Sequence, residues 1–217
     1  MESDCLLKIH YYKSLPSTQT FLIDSLKDAS FLPPVSVVAE SQSVGYGSRG
    51  NNWISDEGNL FFSFAIDKIK LPSDLKLEST SIYLSYVLKS VFEEYGSKVW
   101  LKWPNDFYLN DKKIGGTITT IVKDTLVCGI GINIIHAPEN FGTFDIKIDK
   151  KELLENYFKK LENSISWKQV FSNFKVEFEK SKNFETHLQG DKISISKTTL
   201  NEDGSLMYNN ERIYSLR

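Results

Sequence analysis

The sequence predicts an α+β fold: one large domain of strands and amphipathic helices, followed by a small β tail. Three observations carry that reading. Apolar runs at Phe107 to Leu109 and Ile114 to Ile121 flank Asn110-Asp111, a pair suited to a tight turn, so the chain doubles back as a hairpin. Tyr83, Leu84, Val87, Leu88, Val91 and Phe92 recur at three- and four-residue intervals, the apolar stripe of a helix packed on a sheet. From Lys192 the period shortens to brief apolar runs between turn residues, the mark of a small β module.

Composition narrows the function. The 217 residues suffice for one full core plus an appendage. Lys+Arg 26 against Asp+Glu 28 leaves a net charge of -2, with no block of like charge long enough to track a phosphate backbone, so nucleic acid is not an expected partner. Cys5 and Cys128 lie in strand-like contexts and read as buried free thiols; their spacing suits neither a disulfide framework nor a metal site. The acidic N-terminus and the absence of any run of about 18 apolar residues predict a cytoplasmic chain without signal peptide or membrane span.

In order, Leu6 to Tyr12 reads as a first strand. Ser14 to Thr18 breaks it and offers Ser17 or Thr18 as the N-cap of a helix over Gln19 to Lys27; on the residues alone, a cap is the better account of that pair. Val35 to Gln42 is a second strand. It leads into a segment with Gly45, Gly47 and Gly50, where successive backbone N–H groups can converge on an anion and Arg49 can add a charge-assisted bond. That segment is neither a Gly-Lys-Ser/Thr phosphate loop nor a dinucleotide fingerprint, and a surface loop fits it equally well. Asn59 to Ile66 is a third strand, and Glu78 to Tyr95 the striped helix.

Val99, Leu101 and Trp103 alternate as a half-buried strand that Pro104 must end, which leaves Lys102 at a strand end. The hairpin brings Gly115-Gly116 to face it, a bare stretch of backbone of the kind a flat ligand on a sheet requires. By itself Lys102 reads equally as a surface lysine beside a bulge. Lys123-Asp124 turns the chain into Thr125 to Ile135, where Gly129 and Gly131 again bare the backbone and Asn133 carries an amide at the far end. A loop over Ala137 to Asp145 precedes helices at Lys150 to Asn163 and Ser166 to Lys182. A boundary near Phe184 to Gly190 divides a domain of residues 1–183 from a tail of residues 184–217, too small to be stable alone.

Together, AESQSVGYGSRGNNW at Ala39 to Trp53, KWPNDFYLNDKKIGG at Lys102 to Gly116 and GIGINI at Gly129 to Ile134 resemble, in order and spacing, the signature segments of the biotin protein ligases. The resemblance implies a class II synthetase-like catalytic domain, helices on one side of a mixed, largely antiparallel sheet, and a small SH3-like C-terminal domain. It implies an enzyme that joins biotin to ATP, with Mg2+, giving biotinyl-5'-AMP and pyrophosphate. The biotin then passes to a lysine of the biotin carboxyl carrier domain of a biotin-dependent carboxylase. No helix-turn-helix precedes the catalytic segment, so repressor activity is not expected. An exposed sheet edge would accept the carrier or a second copy, giving a monomer or a sheet-edge homodimer. A lipoate or octanoate transferase of the same superfold and a non-catalytic biotin-binding regulator are the alternatives.

Residue by residue, the resemblance puts Ser17, Thr18, Gln19, Gln42 and Gly45 on the polar head of biotin, with Gly115, Gly116, Gly129 and Gly131 as the backbone wall beside it. Lys102 would meet the biotin carboxylate and the α-phosphate, and Lys113 the departing phosphates. Tyr46, Gly47, Ser48, Arg49, Gly50, Trp53, Asn105 and Asn133 would hold the nucleotide, and no protein metal ligands are assigned.

The family loop reads Gly-Arg-Gly-Arg where this chain has Tyr46 and Ser48 in the arginine places. A serine offers a neutral hydroxyl in place of charge-assisted bonds worth about 1.5 to 3 kcal/mol each. Ser48→Arg is therefore expected to slow release of biotinyl-5'-AMP about tenfold or more, and Arg49→Ala to change it little. The opposite pattern in a dissociation-rate measurement would assign the grip to Arg49.

Overall fold

The computed structural model describes residues 7–47, 52–53, 56–188 and 191–214; Cys5 lies outside them. Seven strands form the main sheet: β1 (Lys8–Leu15), β2 (Val35–Gln42), β3 (Leu60–Asp67), β4 (Trp100–Lys102), β5 (Asp106–Leu109), β6 (Lys112–Val122) and β7 (Thr125–Ile132). Their order is β1-β2-β3-β7-β6-β5-β4. β1 and β2 run parallel, and every other neighbouring pair is antiparallel.

A parallel pair needs a crossover, and α1 (Thr18–Lys27) supplies it. Its Leu22 packs with Val35, Val37, Ala65 and Val127 on one face of the sheet. On the other face Phe62, Phe64, Leu126 and Cys128 pack against α2 (Thr80–Glu94), α3 (Lys150–Glu162) and α4 (Trp167–Ser181). Helices thus cover both faces, not one. The crossover puts α1 opposite the other three, and the space beside it is where the cleft forms. Burial pushes the Cys128 thiol well above its usual pKa.

The tail folds as β8 (Glu185–Leu188) with β9 (Asp191–Ser194), and as a second small sheet of β10 (Thr199–Leu200), β11 (Leu206–Tyr208) and β12 (Glu211–Ile213). Ile195, within the apolar runs that begin at Lys192, belongs to a 3-10 turn and not to a strand. It is buried with Ile193, Leu206 and Ile213 in the same cluster as α2 and α4.

Two boundaries shift for identifiable reasons. β1 continues past Tyr12 to Leu15 because its pairing with β2 holds as far as Leu15 opposite Gln42. β7 stops at Ile132, three residues before the apolar run ends. There the buried Asn59 side chain takes over the backbone: its Oδ1 accepts from the N–H groups of Ile134, Ile135 and His136 at 2.9, 3.0 and 3.1 Å, and its Nδ2 donates to His136 O at 2.8 Å. Unsatisfied buried polar groups cost about 1 to 3 kcal/mol each. Asn59→Ala is expected to lower stability by about 2 to 4 kcal/mol in urea unfolding, with the loop after β7 losing amide protection first.

Candidate functional site

The cleft opens where β6 and β7 lack side chains. Gly116 pairs with Gly131 and Ile118 with Gly129 across the two strands. A Cβ added at Gly129 would stand 2.6 Å from Gln19 Oε1, and one at Gly131 would stand 2.8 Å from Trp53 Nε1. The glycines are thus the places where α1 and Trp53 lie directly on the backbone. The space between measures about 500 Å³ with its solvent-open mouth included.

One end of the cleft is neutral and polar. Ser17 caps α1, its Oγ accepting from Thr20 N at 3.3 Å. Thr18 N donates to Gln42 Oε1 at 2.7 Å, and the Thr18 and Ser63 hydroxyls are 2.9 Å apart. Gln19 Nε2 reaches Val127 O at 3.5 Å, whereas its buried Oε1 meets no donor among the described residues. The cap and the polar lining are therefore one structure: extended backbone at Ser17 aims the first turn of α1 into the cleft.

The other end is charged. The register Lys102–Asp106–Gly116 runs straight across β4, β5 and β6. Asp106 sits between two lysines, its Oδ1 2.6 Å from Lys113 Nζ and its Oδ2 3.5 Å from Lys102 Nζ. The Lys102 side chain is 12% exposed, and its ammonium lies 5.8 Å and 5.9 Å from the ring centres of Tyr108 and Phe184. Lys113 Nζ lies 5.7 Å from the Trp53 ring. A positive charge over an aromatic face is stabilised without being neutralised, which leaves both ammoniums able to meet an anion.

The described parts of the glycine loop close the rim. Val44 N donates to Pro16 O and Trp53 N to Gly45 O, both at 2.8 Å, and Tyr46 bridges to Asn52. Burial raises the pKa of the Tyr46 phenol, while its hydrogen bond with Thr20 works against the shift. Tyr46, Gly47 and Trp53 line the cleft. Ser48, Arg49 and Gly50 lie outside the described residues.

Asn105 is buried and ties the end of β4 to β6: its Nδ2 donates to Thr117 O, and Thr117 N returns a bond of 3.0 Å to Asn105 O. Asn133 is fixed by its Nδ2 donating to Gly142 O at 3.3 Å. It lines a second depression, of about 380 Å³, with Asn52, Trp53, Pro138 and Phe141. Trp53 is the wall between the two spaces, its ring edge-on to Phe141 at 6.3 Å.

Of the sequence-derived set, Gly45, Lys102, Gly115 and Asn133 do not line the cleft: Lys102 joins it through Asp106, and Asn133 lines the second depression. Gly115 has a packing reason. A Cβ there would stand 2.6 Å from Gly131 O and 2.5 Å from Ile132 Cδ1, so its bareness serves strand packing. Five lining residues had gone unassigned: Ser63, Asp106, Thr117, Ile118 and Ile130. Asp106 was legible inside the Trp-Pro-Asn-Asp segment, and Ser63 as the lone hydroxyl between Phe62 and Phe64. Nothing in the sequence marks Thr117.

The sequence profile of the biotin/lipoate A/B protein ligase family matches residues 11–134, more than half of the chain. The chain belongs to that family. The bifunctional ligase/repressor BirA of Bacillus subtilis is 31% identical over 110 residues, 48% of this chain and 34% of the relative. The matched segment thus spans about a third of that curated relative's length. Among solved structures, the biotin acetyl coenzyme A carboxylase synthetase of Helicobacter pylori with bound biotinylated ATP superposes with a TM-score of 0.91 at 37% identity, covering 96% of this chain and 99% of that one. The Aquifex aeolicus biotin protein ligase in complex with biotin and ATP superposes with a TM-score of 0.77 at 26% identity, covering 97% and 96%.

Within this ligase-family cleft the glycines separate into two kinds. Gly115→Ala is expected to destabilise the fold, because the new methyl meets a backbone carbonyl. Gly131→Ala is expected to fold, because the new methyl meets only the Trp53 side chain, and to displace that ring. Thermal unfolding and tryptophan fluorescence check the pair.

Proposed function

We propose that the chain is an ATP-dependent ligase that forms biotinyl-5'-AMP and transfers the biotin to a lysine of a biotin carboxyl carrier domain. The observation that carries this reading is the polarity of one continuous cleft. Neutral donors and acceptors at Thr18, Gln42 and Ser63 suit a ureido head, bare strands flank the middle, and Asp106 and Lys113 stand at the exit, with Lys102 paired to Asp106 beyond them. A lipoyl head, which offers no ureido group, would leave the first end poorly used, so biotin is favoured over lipoate.

The chemistry follows from that order. A biotin carboxylate oxygen attacks the α-phosphorus of ATP, an O–P bond forms, and the bond to pyrophosphate breaks. Lys102 stabilises the charge that builds on the α-phosphate, an effect of about 3 kcal/mol for a preorganised donor in a sheltered site, and Lys113 faces the leaving phosphates. The nucleoside takes the Trp53, Asn133 and Phe141 side. In the second step an uncharged lysine amine of the carrier attacks the acyl carbon, AMP leaves, and the nitrogen loses a proton.

Magnesium enters with ATP. Among the described residues no group of three or more His, Cys, Asp and Glu is placed to hold a metal ion. Such a donor set fits an ion carried on phosphate oxygens and water rather than in a protein cage. Among the described residues no helix is long and apolar enough to cross a membrane, and a cytoplasmic enzyme is the reading we adopt. A carrier or second copy that adds a strand would use β1. At the opposite edge, the outward N–H groups of Leu101 and Trp103 already bond to side chains of α4.

Lys102→Ala is expected to keep the fold and to lower adenylate formation at least about 100-fold, with Lys102→Gln nearly as poor because it keeps length and loses charge. The assay is pyrophosphate release that depends on biotin and not on lipoate. A folded Lys102→Ala protein turning over near the wild-type rate would sink the assignment.

A further inference from the structure

The apolar face of α4 has two polar interruptions. Phe174, Glu177, Phe178 and Ser181 follow one another at the spacing of a single helix face, and Phe174, Phe178 and Ser181 are buried. Both interruptions meet the same strand. Glu177 Oε2 accepts from Leu101 N at 3.2 Å, and Ser181 Oγ accepts from Trp103 N at 3.0 Å. These are the N–H groups either side of Lys102, and alternation along a strand turns both of them away from β5.

Glu177 is itself held. Its Oε1 lies 3.1 Å from Lys89 Nζ, with the Lys89 and Glu177 side chains 7% and 11% exposed. Burial would lower the pKa of this lysine, but the Glu177 and Glu93 carboxylates outweigh it and leave it raised. A buried ion pair is weak evidence for stability, because apolar side chains of similar volume often serve as well. What apolar side chains could not do is accept the Leu101 N–H.

We propose that Glu177 and Ser181 are positioning residues for Lys102: from the helix behind the edge strand they fix the backbone on both sides of that lysine and so set where its ammonium stands beside Asp106 at the charged end of the cleft. Lys89 in turn holds Glu177 in place. The proposal rests on the ligase reading for its effect on rate, but not for its effect on the geometry of Lys102. A purely structural role, covering an open sheet edge, would lower stability without selecting the chemical step.

The test uses Lys89→Leu/Glu177→Leu, which replaces the pair by apolar side chains and removes the acceptor for Leu101 N. Lys89→Leu/Glu177→Gln restores an acceptor oxygen without the charge. The Leu/Leu protein is expected to lose at least tenfold in kcat for adenylate formation with the KM for biotin within twofold of wild type. The Leu/Gln protein should recover most of that loss, and Ser181→Ala should lower kcat at least threefold. Independently of activity, trace acetylation read by mass spectrometry should label Lys102 severalfold faster in the Leu/Leu and Ser181→Ala proteins. Folded Leu/Leu protein with wild-type kcat and wild-type labelling overturns the proposal. So does a loss of kcat that the Leu/Gln protein shares in full. If the Leu/Leu protein does not fold, Ser181→Ala decides, and unchanged kcat and labelling there overturn the proposal. Wild-type protein that releases no biotin-dependent pyrophosphate refutes the ligase reading instead, and the labelling still tests the position of Lys102.

Discussion

The cleft depends on one constraint: α1 must lie against strands that have no side chains beneath its first turn. A parallel β1–β2 pair forces a crossover, and the crossover brings Thr18 and Gln19 down onto β3 and β7. With any side chain at residue 129, Gln19 would have to move, since even a Cβ would stand 2.6 Å from its Oε1. The energetics are those of exchange. Glycine gives up apolar burial and backbone restraint, which costs about 0.5 to 1 kcal/mol in a strand. In return the cleft gains backbone that a ligand can touch directly.

The charged end follows a related logic. Two ammoniums share one carboxylate, and both side chains are largely sheltered from water. The trio keeps a net positive charge, so a second anion is the natural complement. An arriving carboxylate or phosphate would meet donors already oriented by Asp106 and by the faces of Tyr108, Phe184 and Trp53. Preorganisation of this kind removes the reorganisation cost that solvent would otherwise impose at the moment charge develops. It also explains why the lysines stand on β4 and β6, the two strands that flank Asp106 on β5: the cross-strand register fixes their spacing to within the pleat.

Much of this was legible in the sequence, and the reasons differ by residue. Asn110-Asp111 and Lys123-Asp124 marked their turns because Asn110 and Lys123 adopt positive φ, of 51° and 55°. Ser17 was legible as a cap because caps are local. What could not be read were consequences of long-range packing. Nothing in Gly115 distinguishes it from Gly116; only the fold shows that one would clash with a neighbouring carbonyl while the other lines the cleft. Asn59 looked like the first residue of a strand and proved to be the stop of another strand, 75 residues away. Thr117 matters through the face it occupies, which no local pattern reports.

The tail shows the same limit from the other side. Its short runs announce a separate β module, yet its turn at Glu202 to Gly204 is built into the large domain. Trp103 Nε1, beside the lysine strand, donates to Gly204 O at 2.7 Å, and Trp167 Nε1 donates to Glu202 O at 2.9 Å. Asp203 between them is paired with Lys76 at 3.5 Å and Arg212 at 2.9 Å. Gly204 has φ +77°, and a Cβ on it would stand 2.8 Å from Ile82 of α2. A surface linker would have no need of such a fit. Two indole N–H groups buried in the large domain would be unsatisfied without the turn, at a cost of about 1 to 3 kcal/mol each. The period of the sequence therefore divides the chain near Phe184, while the hydrogen bonds do not divide it there, and the strand that carries Lys102 leans on both halves.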